Sequence, residues 1–258
     1  MSLLADRLPA RTGPRRIALF SCGAASAVAA KIAHKEDSST MLYNTEIAEE
    51  HPDNQRFRYE VERWIGVDVY VWRNDKYNAS IYEVFEREKY IKNPHGAACT
   101  ARLKRSLYEE MFEPGDTMIV GFTSEEQHRL DRLIYGVGIP NDVSVRAPLI
   151  ERGITKSDCL AMIERAGIDL PKMYRLGFNN NNCIGCVKGG KGYWNKIRVH
   201  FPQQFERMRE LEMRLGASLF SGDPRTTLTD LLPGQGSDND PEMSCSIFCA
   251  MAESDYNS

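Results

Sequence analysis

Cysteines are the residues of this chain whose number and spacing most directly indicate chemistry. The 258-residue sequence has seven of them, and an odd number predicts reduced thiols, metal ligands or redox groups rather than a framework of disulfides. Cys183 and Cys186 form a Cys-x-x-Cys pair, and Cys245 and Cys249 lie together near the end of the chain. The cysteines are therefore the first candidates for a functional centre.

A second candidate is a turn of small residues that suits an anion. It consists of Ser21, Cys22, Gly23, Ala24, Ala25 and Ser26. The turn joins a short apolar run to an alanine-rich segment, and a helix N-terminus at the carboxyl end of a strand offers backbone N–H groups to phosphate or sulfate. Gly23 allows close approach and the two serines add hydroxyl groups. The alternative is an ordinary β-to-α turn whose alanines pack under a sheet.

A third candidate begins at Cys99 and continues with basic residues. Cys99 stands at the start of a predicted helix, where the helix dipole favours a thiolate. Arg102, Lys104 and Arg105 follow it and can stabilise a thiolate or hold an anion. Cys99 is therefore a candidate ligand or nucleophile, or else a buried thiol.

Alternating strands and helices are expected to position these groups. Strands are expected at 16–20, 40–43, 67–72, 117–122 and 143–149, and helices at 24–34, 55–65, 81–88, 100–112, 125–135, 155–166 and 202–215. Ser124 and Thr155 are the expected helix caps. The alternation predicts an α/β fold with three layers, in which helices cover both faces of an open, mainly parallel sheet.

These motifs resemble the PP-loop nucleotide-binding superfamily and, within it, the phosphoadenosine phosphosulfate (PAPS) reductase-like family. Residues 21–26 are similar to the Ser-x-Gly-x-x-Ser loop of those reductases, and Asn44-Thr45 is similar to the start of the family's Asn-Thr-Gly-x-Glu-x-Pro pattern. The resemblance implies an adenine nucleotide, ATP or PAPS, with its phosphate or sulfate on Ser21, Gly23 and Ser26 and its adenosine beside Asn44 and Thr45. Gly121, Phe122 and Thr123 would line the same site, and Arg102 and Lys104 would neutralise anionic charge.

The resemblance extends to the iron–sulfur branch of that family. Its Cys-Cys-x-x-Arg-Lys segment precedes a Cys-x-x-Cys pair by about eighty residues, as Cys99 precedes the pair in this chain, with Thr100 in place of the second cysteine. This implies a [4Fe-4S] cluster held by Cys99, Cys183, Cys186 and either Cys245 or Cys249. The alternatives are a zinc ion on Cys183, Cys186, Cys245 and Cys249, or thiol–disulfide chemistry. Cys22 and Cys159 are assigned to packing.

The predicted function is that of a nucleotide-binding iron–sulfur enzyme of sulfur metabolism or sulfur transfer. Residues 1–14 are expected to be a loose lead-in, 15–176 the PP-loop nucleotide-binding domain, and 177–258 a cysteine-containing C-terminal subdomain. One rival hypothesis is a catalytically degenerate nucleotide-binding module with structural zinc, because the loop lacks the superfamily's Asp and the tail lacks the reductases' His. Another is an enzyme that sulfurates nucleic acid.

The sulfur acceptor is either a small molecule or a nucleic acid, and the sequence is compatible with both. It is also compatible with a homo-oligomer. A basic loop is expected around Tyr193 and Trp194, with Lys188, Lys191, Lys196 and Arg198. It suits a phosphate backbone with stacked bases or the phosphosulfate end of a small nucleotide, although inward packing of the Trp is the commoner arrangement.

Composition excludes several other classes of protein. With 42% hydrophobic and 27% charged residues, the chain is typical of a globular protein rather than a disordered or fibrous one. A net charge of −3 gives no global attraction to nucleic acid. The apolar stretch at 17–30 is too short and too weakly hydrophobic to span a bilayer or to act as a signal sequence, so we expect no membrane partner and a cytoplasmic location.

Overall fold

A parallel sheet of five strands is the central layer of the structure. The computed structural model describes residues 11–93, 96–135, 142–220 and 226–237. Its strands are β1 (Arg16–Leu19), β2 (Met41–Thr45), β3 (Val69–Trp72), β4 (Lys92–Asn93), β5 (Gly96–Ala97), β6 (Thr117–Ile119) and β7 (Ser144–Arg146). The sheet has the order β3-β2-β1-β6-β7, and β4 and β5 form a separate antiparallel pair. The strand order therefore reverses at β1, which has β2 on one side and β6 on the other.

Eleven helices are present among the described residues. They are α1 (Ala24–Glu36), α2 (Asp53–Ile65), α3 (Ile81–Glu88), α4 (Ala98–Thr100), α5 (Ser106–Met111), α6 (Gln127–Tyr135), α7 (Pro148–Glu151), α8 (Lys156–Arg165), α9 (Lys172–Arg175), α10 (Lys191–His200) and α11 (Pro202–Leu215). A π-helical turn, Ala101–Arg105, joins α4 to α5, and a 3₁₀ turn, Ser124–Glu126, leads into α6. None of the helices in these ranges is long and apolar enough to cross a bilayer.

Successive residues of the strands pack against opposite layers, as the two-residue period of a strand requires. Ile17 and Met118 belong to a buried cluster with α5, whereas Ala18 and Ile119 belong to a cluster with α1. Both faces of the sheet are thus covered by helices. This confirms the predicted α/β class with a parallel sheet in the middle of three layers.

A third apolar cluster joins the middle of the chain to its C-terminal part. It contains Phe85 and Leu103 as well as Trp194 of α10 and Leu211 of α11. The segment that follows residue 177 therefore shares a hydrophobic core with residues that precede it by about a hundred positions.

Several local predictions are wrong. Thr123, not Ser124, caps the turn before α6, because its side chain and that of Glu126 form a reciprocal capping box. The strand expected at 143–149 ends at Arg146, and Pro148 begins α7. The segment expected to be a basic loop is largely α10, which begins directly after Gly190.

Candidate functional site

A cavity lies at the carboxyl end of the sheet, at the point where the strand order reverses. It is partly open to solvent. Its walls come from the ends of β1, β2 and β6, from the start of α1, and from the segment 180–183. In open α/β sheets this is the position where ligands bind.

The turn 21–26 forms the floor of this cavity and is held by its own hydroxyl groups. Ser26 Oγ accepts a hydrogen bond from the Ser21 N–H at 3.1 Å and donates one to the Gly23 carbonyl at 3.0 Å. Gly23 is the residue before α1 and has no side chain with which to cap the helix. The start of α1 therefore presents backbone N–H groups and the positive end of its dipole toward the cavity.

Gly121 lets the segment after β6 approach the start of α1 more closely than any other residue would. A Cβ atom at this position would lie 2.6 Å from Ser26 Cα and 2.8 Å from Ser26 N. Gly121, Phe122 and Thr123 all line the cavity, as do the loop residues predicted from the sequence except Cys22. The structure therefore brings together the β1–α1 turn and the segment after β6.

Charged side chains of both signs line the cavity. Three are cationic, namely Lys104, Arg129 and Lys156, and two are acidic, namely Glu50 and Glu126. Arg129 forms an ion pair with Glu126 and lies over the Phe122 ring, 4.4 Å from its centroid. Burial lowers the pKa of Lys156, whose Nζ donates to Asn180 Oδ1 at 2.9 Å.

The two predicted anion-neutralising residues occupy different places. Lys104 is buried and lines the cavity, whereas Arg102 is exposed and pairs with Glu88 at 2.8 Å. In the π-helical turn the consecutive residues Leu103 and Lys104 are both buried. Such π-bulges occur frequently at functional sites. Arg102 therefore does not line the cavity.

The two residues predicted to hold the adenosine also separate. Thr45 lines the cavity, and its Oγ1 lies 3.4 Å from the Tyr108 hydroxyl. Asn44 is buried beneath the turn, where its Nδ2 donates to the Phe20 carbonyl at 2.8 Å and approaches Cys22 Sγ at 3.6 Å. Asn44 therefore supports the turn and does not line the cavity.

Asn181 is a residue of the site that the sequence did not single out. Its Nδ2 donates to the Cys22 carbonyl at 2.7 Å and to Asn54 Oδ1 at 2.8 Å. Asn181 is 8% exposed and lines the cavity, and within the described residues its Oδ1 has no hydrogen-bond partner. Its position depends on how the loop before Cys183 packs, and no local pattern in the sequence indicates it.

The Cys-x-x-Cys pair forms a tight turn beside the cavity. The Cys186 N–H donates to the Cys183 carbonyl at 3.1 Å, and Gly185 between them has a φ of 83°. The Tyr193 hydroxyl donates to the Cys183 carbonyl and accepts from the N–H groups of Gly185 and Cys186, at 2.8 to 3.0 Å. Cys183 itself lines the cavity.

Cys99 lies at the margin of the same apolar cluster as Cys183 and Cys186. Within the described residues, however, no three Cys, His, Asp or Glu side chains are arranged to hold a metal ion. Cys245 and Cys249, the other predicted ligands, lie outside the described residues. The ligand sets for a cluster and for zinc both remain predictions.

The two thiols assigned to packing have the surroundings of core residues. Burial raises the pKa of the Cys22 thiol well above its usual value, and burial raises that of Cys159 to about 12. Both therefore stay protonated and unreactive at neutral pH.

The aromatic residues that follow the pair are also structural. Tyr193 and Trp194 are 4% and 0% exposed, so neither can stack on a nucleic-acid base. Among the nearby cations, Lys196 donates to the Gly177 carbonyl and Arg198 donates to the Leu231 carbonyl. The inward packing of Trp194 is confirmed.

The chain is similar in structure to a protein of known activity. No model of a protein family matches the chain, and no curated protein matches its sequence. The U34-tRNA thiolase NcsA from Methanococcus maripaludis, solved with its [4Fe-4S] cluster, has 13% sequence identity and a TM-score of 0.41. The similarity covers 87% of this chain and 81% of that one.

Proposed function

We propose that the chain binds an adenine nucleotide, ATP or PAPS, in the cavity and uses it in sulfur reduction or sulfur transfer with a cysteine-held iron–sulfur centre. The observation that carries the proposal is that Cys183 lines the same cavity as the turn 21–26. An anion on the turn and a metal centre at the Cys-x-x-Cys pair would be neighbours in one cavity. That arrangement suits chemistry between an activated nucleotide and a thiolate or a sulfur atom.

The anionic end of the nucleotide would bind at the start of α1. Backbone N–H groups at the helix N-terminus and the exposed Ser21 hydroxyl provide donors, and the buried Lys104 ammonium adds positive charge. Because Lys104 is shielded from water, its interaction with a phosphate or sulfate is stronger than it would be on the surface. The residue thus lowers the cost of bringing an anion into the cavity.

The cysteines fit a metal centre in their chemistry and their burial. Cys183 and Cys186 are each 6% exposed within an apolar cluster, and Cys99 packs at its margin. Two further donor groups in the segment after the pair, Lys188 Nζ and Trp194 Nε1, are buried without a hydrogen-bond partner among the described residues. Cys99, Cys183 and Cys186 would hold the centre with a fourth thiolate from the tail pair. A [4Fe-4S] cluster would supply a site for electron or sulfur transfer.

Metal analysis of protein purified without oxygen tests the centre directly. We expect about four irons and four sulfides per chain and a visible absorption band, lost when Cys183→Ala and Cys186→Ala are combined. Cys159→Ala is the matched control, since Cys159 is a core thiol of a different apolar cluster from the pair, and this variant should retain its iron. One zinc without iron would instead support the structural-zinc module.

Calorimetric titration with ATP and with PAPS tests the cavity, and product assays test the reaction. We expect one nucleotide to bind and to be converted with release of pyrophosphate, AMP or sulfite when the centre is loaded and reduced. Binding without turnover would favour the non-catalytic module. If neither nucleotide binds, the assignment of the cavity is wrong.

A further inference from the structure

We propose that Asn181 is the positioning residue through which the cysteine-bearing segment holds the anion-binding turn in its competent shape. For its ligand this inference rests on the proposed function. The side chain reaches from the segment before Cys183 to the carbonyl of Cys22, in the middle of the turn. Occupancy of the cysteine centre and affinity for the nucleotide are then linked through one carboxamide.

The turn needs such support because of its backbone. Cys22 has a φ of 55°, a left-handed conformation that a residue with a Cβ atom adopts only when its surroundings enforce it. Two carboxamides enforce it here: Asn44 donates to the Phe20 carbonyl on one side, and Asn181 donates to the Cys22 carbonyl on the other. Asn44 comes from the neighbouring strand β2, whereas Asn181 comes from a segment about 160 residues away in the chain.

The orientation of the Asn181 amide follows from its neighbours. Asn54 Nδ2 donates to a Glu50 carboxylate oxygen at 3.1 Å, which leaves Asn54 Oδ1 as an acceptor. Asn181 must therefore direct its NH₂ group toward Asn54 Oδ1 and the Cys22 carbonyl, and its Oδ1 is the atom left without a partner within the described residues. Only this orientation allows Asn181 to hold Cys22.

Amide hydrogen exchange tests this link without any nucleotide. In Asn181→Leu, which keeps the approximate size of the side chain but removes its donors, we expect the amides of 21–26 to exchange at least tenfold faster. Asn179→Ala, in the same loop but exposed and outside the cavity, should leave their exchange unchanged. If Asn181→Leu does not fold, Asn181→Ser is measured in its place with the same expected direction. Equal exchange in wild type and variant would overturn the proposal.

A double-mutant cycle with Cys186→Ser tests whether Asn181 couples the cysteine pair to nucleotide affinity. Cys186 does not line the cavity, and the part of its effect on ATP or PAPS affinity that disappears without Asn181 is the part that the segment 180–183 carries. We expect Cys186→Ser to weaken binding about fivefold or more in the wild-type background and less than twofold in the Asn181→Leu background. If the losses of nucleotide affinity in the two single variants add up in the double variant, Asn181 does not couple the two sites. If the wild type binds neither nucleotide, the proposed function fails, while the exchange experiment still decides the role of Asn181.

Discussion

Gly121 shows at the scale of one residue how closely the site is packed. A methyl group here would collide with the Ser26 backbone at 2.6 Å, and backbone atoms cannot rotate out of its way. We predict that Gly121→Ala destabilises the protein by about 1–3 kcal/mol and weakens nucleotide binding at least tenfold. Urea unfolding and calorimetry measure the two effects. Gly13→Ala is the control, since a Cβ there meets nothing within 4 Å; equal behaviour of the two variants would refute the close contact.

Lys104 and Arg102 form a natural pair for testing the source of positive charge. Lys104 is buried on the cavity wall, whereas Arg102 is exposed and bound to Glu88. A hydrogen bond to a charged group contributes about 1.5–3 kcal/mol, so Lys104→Gln should weaken ATP or PAPS binding roughly tenfold to a hundredfold. Arg102→Gln should change the affinity by less than about twofold. If calorimetry shows a larger loss of affinity for Arg102→Gln than for Lys104→Gln, Arg102 supplies the positive charge.

The site residues differ in how far the sequence alone can predict them. The turn 21–26 was predictable because it follows a recognisable strand, and strand ends meet at one edge of a parallel sheet. Gly121, Phe122 and Thr123 were expected from the family resemblance. Asn181 and Lys156 were not, because their places on the cavity wall depend on how distant segments pack. The distinction between Arg102 and Lys104 was hidden for another reason, namely that a π-helical turn has no sequence signature of its own.

At the scale of secondary-structure elements, Asp53 connects α2 to α9. Its carboxylate accepts hydrogen bonds from the Arg56 guanidinium, at 2.8 and 2.9 Å, and from the Lys172 N–H at 2.8 Å. Chiefly the hydrogen bond with Arg56 lowers the pKa of Asp53 to about 2. Since the folded-state pKa lies below that of the unfolded chain, the stabilisation is complete above about pH 4 and is lost as the pH falls toward 2.

We therefore predict that acidification lowers the free energy of unfolding of Asp53→Asn less than it lowers that of the wild type. The variant should be less stable than wild type at pH 7 by up to about 2 kcal/mol, and the difference should shrink between pH 4 and pH 2. Urea unfolding at several pH values measures it. Asp68→Asn, at an exposed position, is the matched control and should follow the wild-type curve. A difference for Asp53→Asn that does not vary with pH would exclude the linkage.

Elements were predicted well where periodicity and capping agree. The bounds expected for α3, Ile81–Glu88, and for α11, Pro202–Leu215, are those found. The helix α10 was missed because its first turn contains Gly192 and is preceded by two glycines, residues of low helix propensity. Tertiary packing overrides that propensity, since Trp194 and Ile197 of this helix are completely buried.

At the scale of the whole molecule, the chain's two halves complete a common core. The apolar cluster that contains the Cys-x-x-Cys pair draws residues from 47–103 and from 173–231. We predict that a chain ending at residue 176 will not unfold cooperatively, because about half of this cluster would lose its partners. Near-ultraviolet circular dichroism during heating is the measurement. A sharp transition in the shortened chain would instead make residues 15–176 an independent domain.

Because β1 pairs with a strand that is about a hundred residues later in the chain, the cavity can form only late in synthesis. Residue 17 pairs with residue 118, and the wall of the cavity is complete only with residues 180–183. A ribosome delivers the turn 21–26 first and the segments that enclose it long afterwards, at roughly 5–20 residues per second. For roughly 8 to 30 seconds the nascent chain therefore carries this turn without the walls of its cavity, and the cavity is complete only when residues 180–183 have emerged.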